Sequence, residues 1–314
     1  MKLRIGHLST FYHTAILLMA RRDLEQRLGI DVEWILHGTG PSLVQAFEKN
    51  ELDIAYIGLP PAIIGIDRGV PIICIAGGHI EGTIISGSSL LCGFPGLDNL
   101  QEVLGQFRGQ TIGVPGKGSI HDVILAELLD RGGLRESVTV RNFAWADQIT
   151  EAAVKGLIAA AMGTPALGVA LRRYAGFKLL CPASRIWSSN PSYGIVARED
   201  VLQKERAVIL QFLGIHEEAT AFLRDHPDEA AEIISRFVGF IDAGFVLETL
   251  LMSPKYCADL TGDYMQATAD FVSCLKRLGY IKNTISRDQI FDVSLIRAVH
   301  PGPPHYEVQP GSVS

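Results

Sequence analysis

Apolar positions in the first ninety residues switch repeatedly between a period of two and a period of three to four. Leu3 and Ile5 open a strand. Leu17, Ala20, Leu24 and Leu28 then recur at helical spacing, and Gly29 supplies the stop. Ile30, Val32 and Trp34 alternate again, "HGTGPS" makes a loop, and residues 43–49 predict a short helix. "DIAYIG" is a buried strand, Pro60 and Pro61 open the next helix, and "IICIA" is a further strand. The β-α-β-α-β order predicts an α/β fold with a parallel, doubly wound sheet. A second unit of the same kind starts after "GTIISGSS". Its strands are expected at 111–114, 138–143 and 157–162, with helices from Ser119, Asp147 and Pro165. From Asp200 the pattern turns helical, over 201–224, 228–237, 246–252, 264–278 and 288–299. The closing "HPGPPHYEVQPGSVS" is rich in Pro, Gly and Ser and is expected to be loose.

Length and composition narrow the classes. A chain of 314 residues has room for two lobes, and 47% hydrophobic with 20% charged residues describes a globular protein. The net charge of −6 with scattered basic residues speaks against a nucleic-acid partner. The longest uncharged run, 156–171, is broken by Gly163 and Pro165 and falls short of the ~20 residues of a membrane helix. "MKLRIGHLSTF" has no apolar core of a signal peptide. The expected location is therefore extracytoplasmic if a leader was removed, and cytoplasmic otherwise. Five cysteines, widely spaced and without C-x-x-C, support no disulfide or zinc-ribbon framework, and Cys74 belongs to the core.

The stretch "TIGVPGKGSIHDVILAELL" has the strand–glycine loop–helix form that often holds phosphate. It is not a P-loop, because Lys117 precedes the last glycine, and its glycine spacing fails the dinucleotide pattern. What remains is a helix start capped by Ser119 with Asp122 three residues on. Exposed N–H groups and a partial positive charge of about half an electron suit such an end to any small anion. In a doubly wound sheet ligands bind beyond the carboxyl ends of the strands. That rule selects Ser9, Thr10, Phe11, Tyr12, Thr39, Gly40, Ser42, Gly58, His79, Gly118, Ser119, His121 and Thr164. No catalytic residue is assigned: "HEEAT" is not H-E-x-x-H, and no G-x-S-x-G elbow occurs. No metal ligand is assigned, and no cofactor motif is found.

Over residues 3–237 the succession "GTGPSLVQAFEKNELDIAYIGLPPAIIGIDRGVPI", "QFRGQTIGVPGKGSIHDVILAELL" and "SYGIVAREDVLQKERAVILQFLGIHEEATAFLRDHPDEAAEII" resembles the substrate-binding proteins of ABC importers. The subgroup is that of sulfonates, taurine, nitrate, bicarbonate and thiamine pyrimidines. The resemblance implies a two-lobed clamshell of the type 2 periplasmic-binding-protein kind with a helical C-terminal part. Lobe 1 would span 1–85 and 190–300, lobe 2 residues 86–189, and 301–314 a flexible tail. The hinge would be crossed near 83–88 and 187–193, which adds Tyr193 to the candidate ligand contacts. A small, anionic ligand, an ABC permease partner and a monomeric chain are implied. Cytoplasmic enzymes share this fold: the pyrimidine synthase of thiamine biosynthesis, and lyase- and synthase-type enzymes of a menaquinone route. The C-C-C-x-C element of the thiamine enzyme is absent here, and the menaquinone type stays open as the alternative.

Overall fold

The computed structural model describes residues 2–306. The first part of the chain runs β1 (Lys2–Leu8), α1 (Thr14–Arg21), α2 (Leu24–Leu28), β2 (Asp31–His37), α3 (Gly40–Glu48), β3 (Ile54–Ile57), α4 (Leu59–Asp67) and β4 (Ile72–Ile80). The second runs β5 (Ile84–Gly87), α5 (Leu100–Gly105), β6 (Thr111–Pro115), α6 (Ile120–Arg131), β7 (Thr139–Phe143), α7 (Ala146–Val154), β8 (Ala160–Gly163), α8 (Pro165–Ala175) and β9 (Lys178–Cys181). The chain then returns through β10 (Pro191–Arg198) to α9 (Glu199–Lys204), α10 (Arg206–Asp225), α11 (Pro227–Val238) and α12 (Ala243–Met252). It ends in α13 (Gly262–Arg277), α14 (Arg287–Ile290) and α15 (Ser294–Val299).

These strands build two five-stranded sheets, ordered β2-β1-β3-β10-β4 and β7-β6-β8-β5-β9. Both are mixed rather than purely parallel. β10 runs antiparallel between β3 and β4, and β5 antiparallel between β8 and β9. β3 and β8 are buried along their whole length, as expected of strands covered on both faces, whereas β7 at a sheet edge is mostly exposed. "GTIISG" is therefore a strand and not a linker. The chain leaves the first sheet at 81–83, immediately after β4.

The two crossings are stitched together. Glu81 and Ser189 both take left-handed backbone angles (φ 58° and 55°). The Glu81 carboxylate accepts from Ser189 N at 3.0 Å, and Glu81 N donates to the Asn190 carbonyl at 2.8 Å. Lys255 pairs with the same carboxylate at 2.8 Å.

The helices after β10 serve both sheets. α13 packs on α4 and α6, and α12 packs on α8. Arg173 joins Asp242 at 2.6 Å and Glu248 at 2.8 Å across the α8–α12 contact, and Arg172 also pairs with Glu248. The expected long helix over 201–224 divides at Glu205, and α14 and α15 replace one helix over 288–299. Within the expected tail, residues 301–304 are exposed, while Tyr306 is buried and donates to the Asp259 carbonyl at 3.0 Å. The rest of the expected tail, 307–314, lies outside the described residues.

Candidate functional site: a cleft ringed by helix starts

Between the two sheets lies a cavity of about 700 Å³. Its walls come from loops at strand ends, because in a doubly wound sheet the helices start there and their N–H groups point outward. The N-cap residues of six helices line it: His13 of α1, Thr39 of α3, Gly58 of α4, Ser119 of α6, Trp145 of α7 and Thr164 of α8. Each N-cap is extended. Thr14 N of α1 donates to Tyr193 OH at 3.1 Å, and Pro60 and Pro61 leave α4 without N–H groups at its second and third positions. Among the described residues that line it, none is Lys or Arg, and Asp147 is the one carboxylate.

Local sequence explains the caps. Ser119 Oγ accepts from Asp122 N at 3.3 Å, and the Asp122 carboxylate accepts from Gly118 N at 2.7 Å. Gly118 needs its φ of +85° to make this turn, a backbone conformation side chains rarely adopt. Asp122 is further held by Asn142 Nδ2 at 2.8 Å and Tyr280 OH at 2.7 Å. Thr164 Oγ1 accepts from Leu167 N at 3.2 Å, with Pro165 at the first helical position.

The first-sheet wall is a buried network. Tyr12 OH shares a hydrogen with Ser192 Oγ at 2.8 Å, and its carbonyl accepts from Tyr256 OH at 3.0 Å. Thr14 Oγ1 bonds Tyr193 OH at 2.8 Å and Thr220 at 3.1 Å. Phe11 projects from a left-handed backbone position (φ 56°) and meets Phe245 edge-on with ring centres 6.0 Å apart. Non-glycine residues in this region carry strain and gather at binding sites. Phe240 completes that corner while remaining 78% exposed.

Histidines around the cleft are held neutral. Burial lowers His121 to about 3, and its Nδ1 bonds Thr83 Oγ1 at 3.0 Å. Burial likewise lowers His7 to about 4 and His13 well below the ordinary value, with neighbouring His79, His7 and His121 adding to the effect at His13. Their contribution to a ligand is hydrogen bonding, not positive charge.

Of the sequence-selected residues, Ser9, Thr10, Phe11, Tyr12, Thr39, Gly40, Gly58, Ser119, His121 and Thr164 meet at this cavity. Ser42, His79, Gly118 and Tyr193 do not line it. Ser42 Oγ turns back onto its own helix start, accepting from Thr39 N at 3.3 Å and donating to the Thr39 carbonyl at 2.7 Å. His79 is fully buried against the Ser253 carbonyl. Gly118 faces the other side of its turn, toward Ile64 and Pro41. Tyr193 lies under the wall, because side chains alternate along a strand and its neighbour Ser192 takes the cavity side.

Sequence reasoning missed Trp145, Asp147, Tyr174, Ser192, Phe240 and Phe245. Trp145 follows β7, and the same strand-end rule selects it. Phe240 and Phe245 arrive from the C-terminal helices and carry no local signal.

The rims touch. A Cβ placed on Gly38 would stand 2.3 Å from the Ala144 carbonyl oxygen, and one on Gly116 would stand 3.0 Å from the Thr39 side chain. The rims therefore meet at these two turns, with Gly38 permitting the closest approach.

Comparison with known proteins agrees with this architecture. Among solved structures, the alkanesulfonate-binding protein SsuA of Xanthomonas axonopodis pv. citri, bound to MOPS, superposes with a TM-score of 0.79 at 17% identity. The match covers 92% of this chain and 98% of that one. The periplasmic nitrate-binding protein NrtA of Synechocystis PCC 6803 gives 0.75 at 13% identity, over 95% and 88%. Among sequence relatives, BAB2_1146 of Brucella abortus, which is named as a binding protein, is 23% identical over 239 residues. That match spans 75% of this chain and 71% of the relative. Residues 1–238 match the NMT1-like family model. The chain thus belongs to the NMT1-like family and has the periplasmic-binding-protein fold.

Proposed function

We propose that the protein is the solute-binding component of an ABC importer. It would hold one small organic ligand between the rims, outside the cytoplasm, and hand it unchanged to a permease. The carrying observation is the convergence of six helix starts on one cavity whose lining includes a single carboxylate. The positive ends of several helix dipoles meet one lining carboxylate, so the cavity favours a ligand head that is anionic or rich in acceptor atoms. Volume decides between candidates. A nitrate or bicarbonate ion leaves most of about 700 Å³ unfilled, whereas pockets of this size enclose organic ligands. Phe11, Trp145, Tyr174, Phe240 and Phe245 supply flat apolar walls for the body of such a ligand. An organic sulfonate or a substituted pyrimidine fits both requirements. The structural likeness to importer binding proteins supports this reading over the enzyme alternative.

The test is a thermal-shift and calorimetry panel on protein stripped by unfolding and refolding, with mass spectrometry of the recovered ligand. Alkanesulfonates, MOPS, taurine, nitrate, bicarbonate, pyrimidines and aromatic carboxylates form the panel. A true ligand at 100 times its Kd adds ~2.7 kcal/mol, a rise of roughly 5–10 °C. An organic sulfonate or pyrimidine that raises Tm and returns unchanged is the expected result. Chemical conversion of a bound compound would overturn the proposal in favour of an enzyme.

A further inference from the structure

Away from the cleft, three potential ligand atoms converge at the end of the described chain. Cys257 Sγ lies 3.6 Å from His300 Nε2 and 3.9 Å from His305 Nδ1, and the two ring nitrogens are 3.1 Å apart. On the open side of this triangle, Glu217 Oε1 stands 3.5 Å from His300 Nε2. Hydrogen bonds alone leave the cluster short. His300 Nε2 stands within reach of a thiol, a second imidazole nitrogen and a carboxylate oxygen, and as a ring nitrogen it makes one hydrogen bond, donated or accepted. His300 Nδ1 and Glu217 Oε2 are buried without any partner. Buried polar atoms rarely stay unsatisfied, and an ion is one of the recognised reasons when they do; here it would account for the Glu217 oxygen and not for His300 Nδ1.

We propose that Cys257, His300 and His305 form a structural zinc site, with Glu217 or a water it orients as the fourth ligand. Tetrahedral zinc with bonds of about 2.3 Å to sulfur and 2.0–2.1 Å to nitrogen separates its ligands by roughly 3.3–3.6 Å. The observed spacings of 3.1, 3.6 and 3.9 Å bracket that range. One thiolate with two imidazoles selects zinc over magnesium or calcium, which take oxygen ligands. His305 N donates to Cys257 Sγ at 3.3 Å, the kind of outer contact that steadies a metal-bound thiolate. Binding releases the thiol proton to solvent, and no oxidant or reductant is involved.

His300 and His305 carry the H-x4-H spacing of a zinc pair, but Cys257 lies 43 residues before His300, so the spacing alone does not announce the full site. The site would clasp the terminal segment onto the first sheet. Gly77 of β4 lies so close beneath it that a Cβ there would meet Tyr306 OH at 2.4 Å and the Asp259 carbonyl at 2.6 Å. The clasped loop carries Tyr256, which holds the carbonyl of Tyr12 at the cleft wall.

The experiment uses the full chain, freed of any tag, in a Cys92→Ser background because Cys92 is the exposed thiol. After chelator dialysis the protein is titrated with Co²⁺ and then Zn²⁺. One equivalent of cobalt with tetrahedral visible bands and a thiolate-to-cobalt charge-transfer band, displaced by one equivalent of zinc, is expected. Cys257→Ser should abolish the charge-transfer band. His305→Ala, at a half-buried position that tolerates truncation, should weaken zinc at least ~100-fold. The apo melting temperature of His305→Ala should match that of the apo parent, with only the zinc-dependent rise lost. Absence of stoichiometric metal, or equal zinc binding by His305→Ala, would overturn the site.

Discussion

The two rims of the cleft are built differently. On the first-sheet side, Tyr12, Thr14, Tyr193, Tyr256 and His79 are all buried and joined by side-chain hydrogen bonds that reach from α1 to α10 and to the loop after α12. On the second-sheet side, Ser119 and Thr164 make only their own cap bonds, Trp145 is 39% exposed and Tyr174 is 63% exposed. The first rim is thus held by a buried hydrogen-bond network. The second presents half-exposed aromatic side chains and is tied to the rest of the chain mainly behind the cleft, through Arg172 and Arg173 to α12 and Asp122 to Tyr280. On the proposed function this asymmetry would let the first rim, the seat, set ligand orientation at little ordering cost while the second rim adds contacts around it.

Breaking the seat should have the largest effect. Tyr193 is fully buried at the centre of its network, so Tyr193→Ala should lower unfolding stability by about 3–5 kcal/mol. A urea midpoint that barely moves would show that this network does not hold the seat.

Acid should come next, and it should act mainly through the seat. Burial depresses His7, His79 and His216 to about 4 and His121 to about 3, while the unfolded chain titrates near 6.5. Below pH 6.5 the unfolded state binds the extra protons. The stability contributed by keeping these rings neutral is therefore complete above that value and is lost as pH falls toward 4. Each ring steepens the loss by up to ~1.4 kcal/mol per pH unit. Melting temperature measured from pH 8 to pH 4.5 should be flat and then fall, and His121→Asn should make the fall shallower by about one proton. A flat profile down to pH 4.5 would contradict the neutral cluster.

The smallest stability change should accompany a clear loss of closure. Gly38→Ala puts a methyl group 2.3 Å from the Ala144 carbonyl, and opening the rims relieves the clash at no cost to either core. Ligand affinity should drop at least ~10-fold, about 1.4 kcal/mol, with the apo urea midpoint nearly unchanged. Small-angle scattering of the ligand-saturated variant should show the more open form. Unaltered affinity would mean that Gly38 and Ala144 do not meet in the bound state.

Much of this was legible in the residues. The continuous apolar run in "DIAYIG" and the helix starts at Ser119 and Pro165 are local consequences of covering a sheet on both faces. The strand-end rule follows from them, and it brought ten candidate residues to one cavity. Errors arose where a local pattern has two outcomes. Tyr193 is expected from the hinge crossing alone; in "PSYGIV" a one-residue parity decides whether Ser192 or Tyr193 lines the cavity, and only the register of β10 against β3 and β4 resolves it. The second unit is expected to start only after "GTIISGSS", because so short a stretch shows no period, yet pairing with β8 and β9 makes Ile84–Gly87 a strand of the second sheet.

Composition and periodicity thus determined the α/β class, the order of elements and the helix starts that favour an anion or acceptor, because those properties depend on neighbours within a few residues. Tertiary structure alone decided the antiparallel place of β10, the arrival of Phe240 and Phe245 at the cleft, and the meeting of Cys257 with His300 and His305. Those contacts join positions tens to hundreds of residues apart, and only packing can bring such positions together.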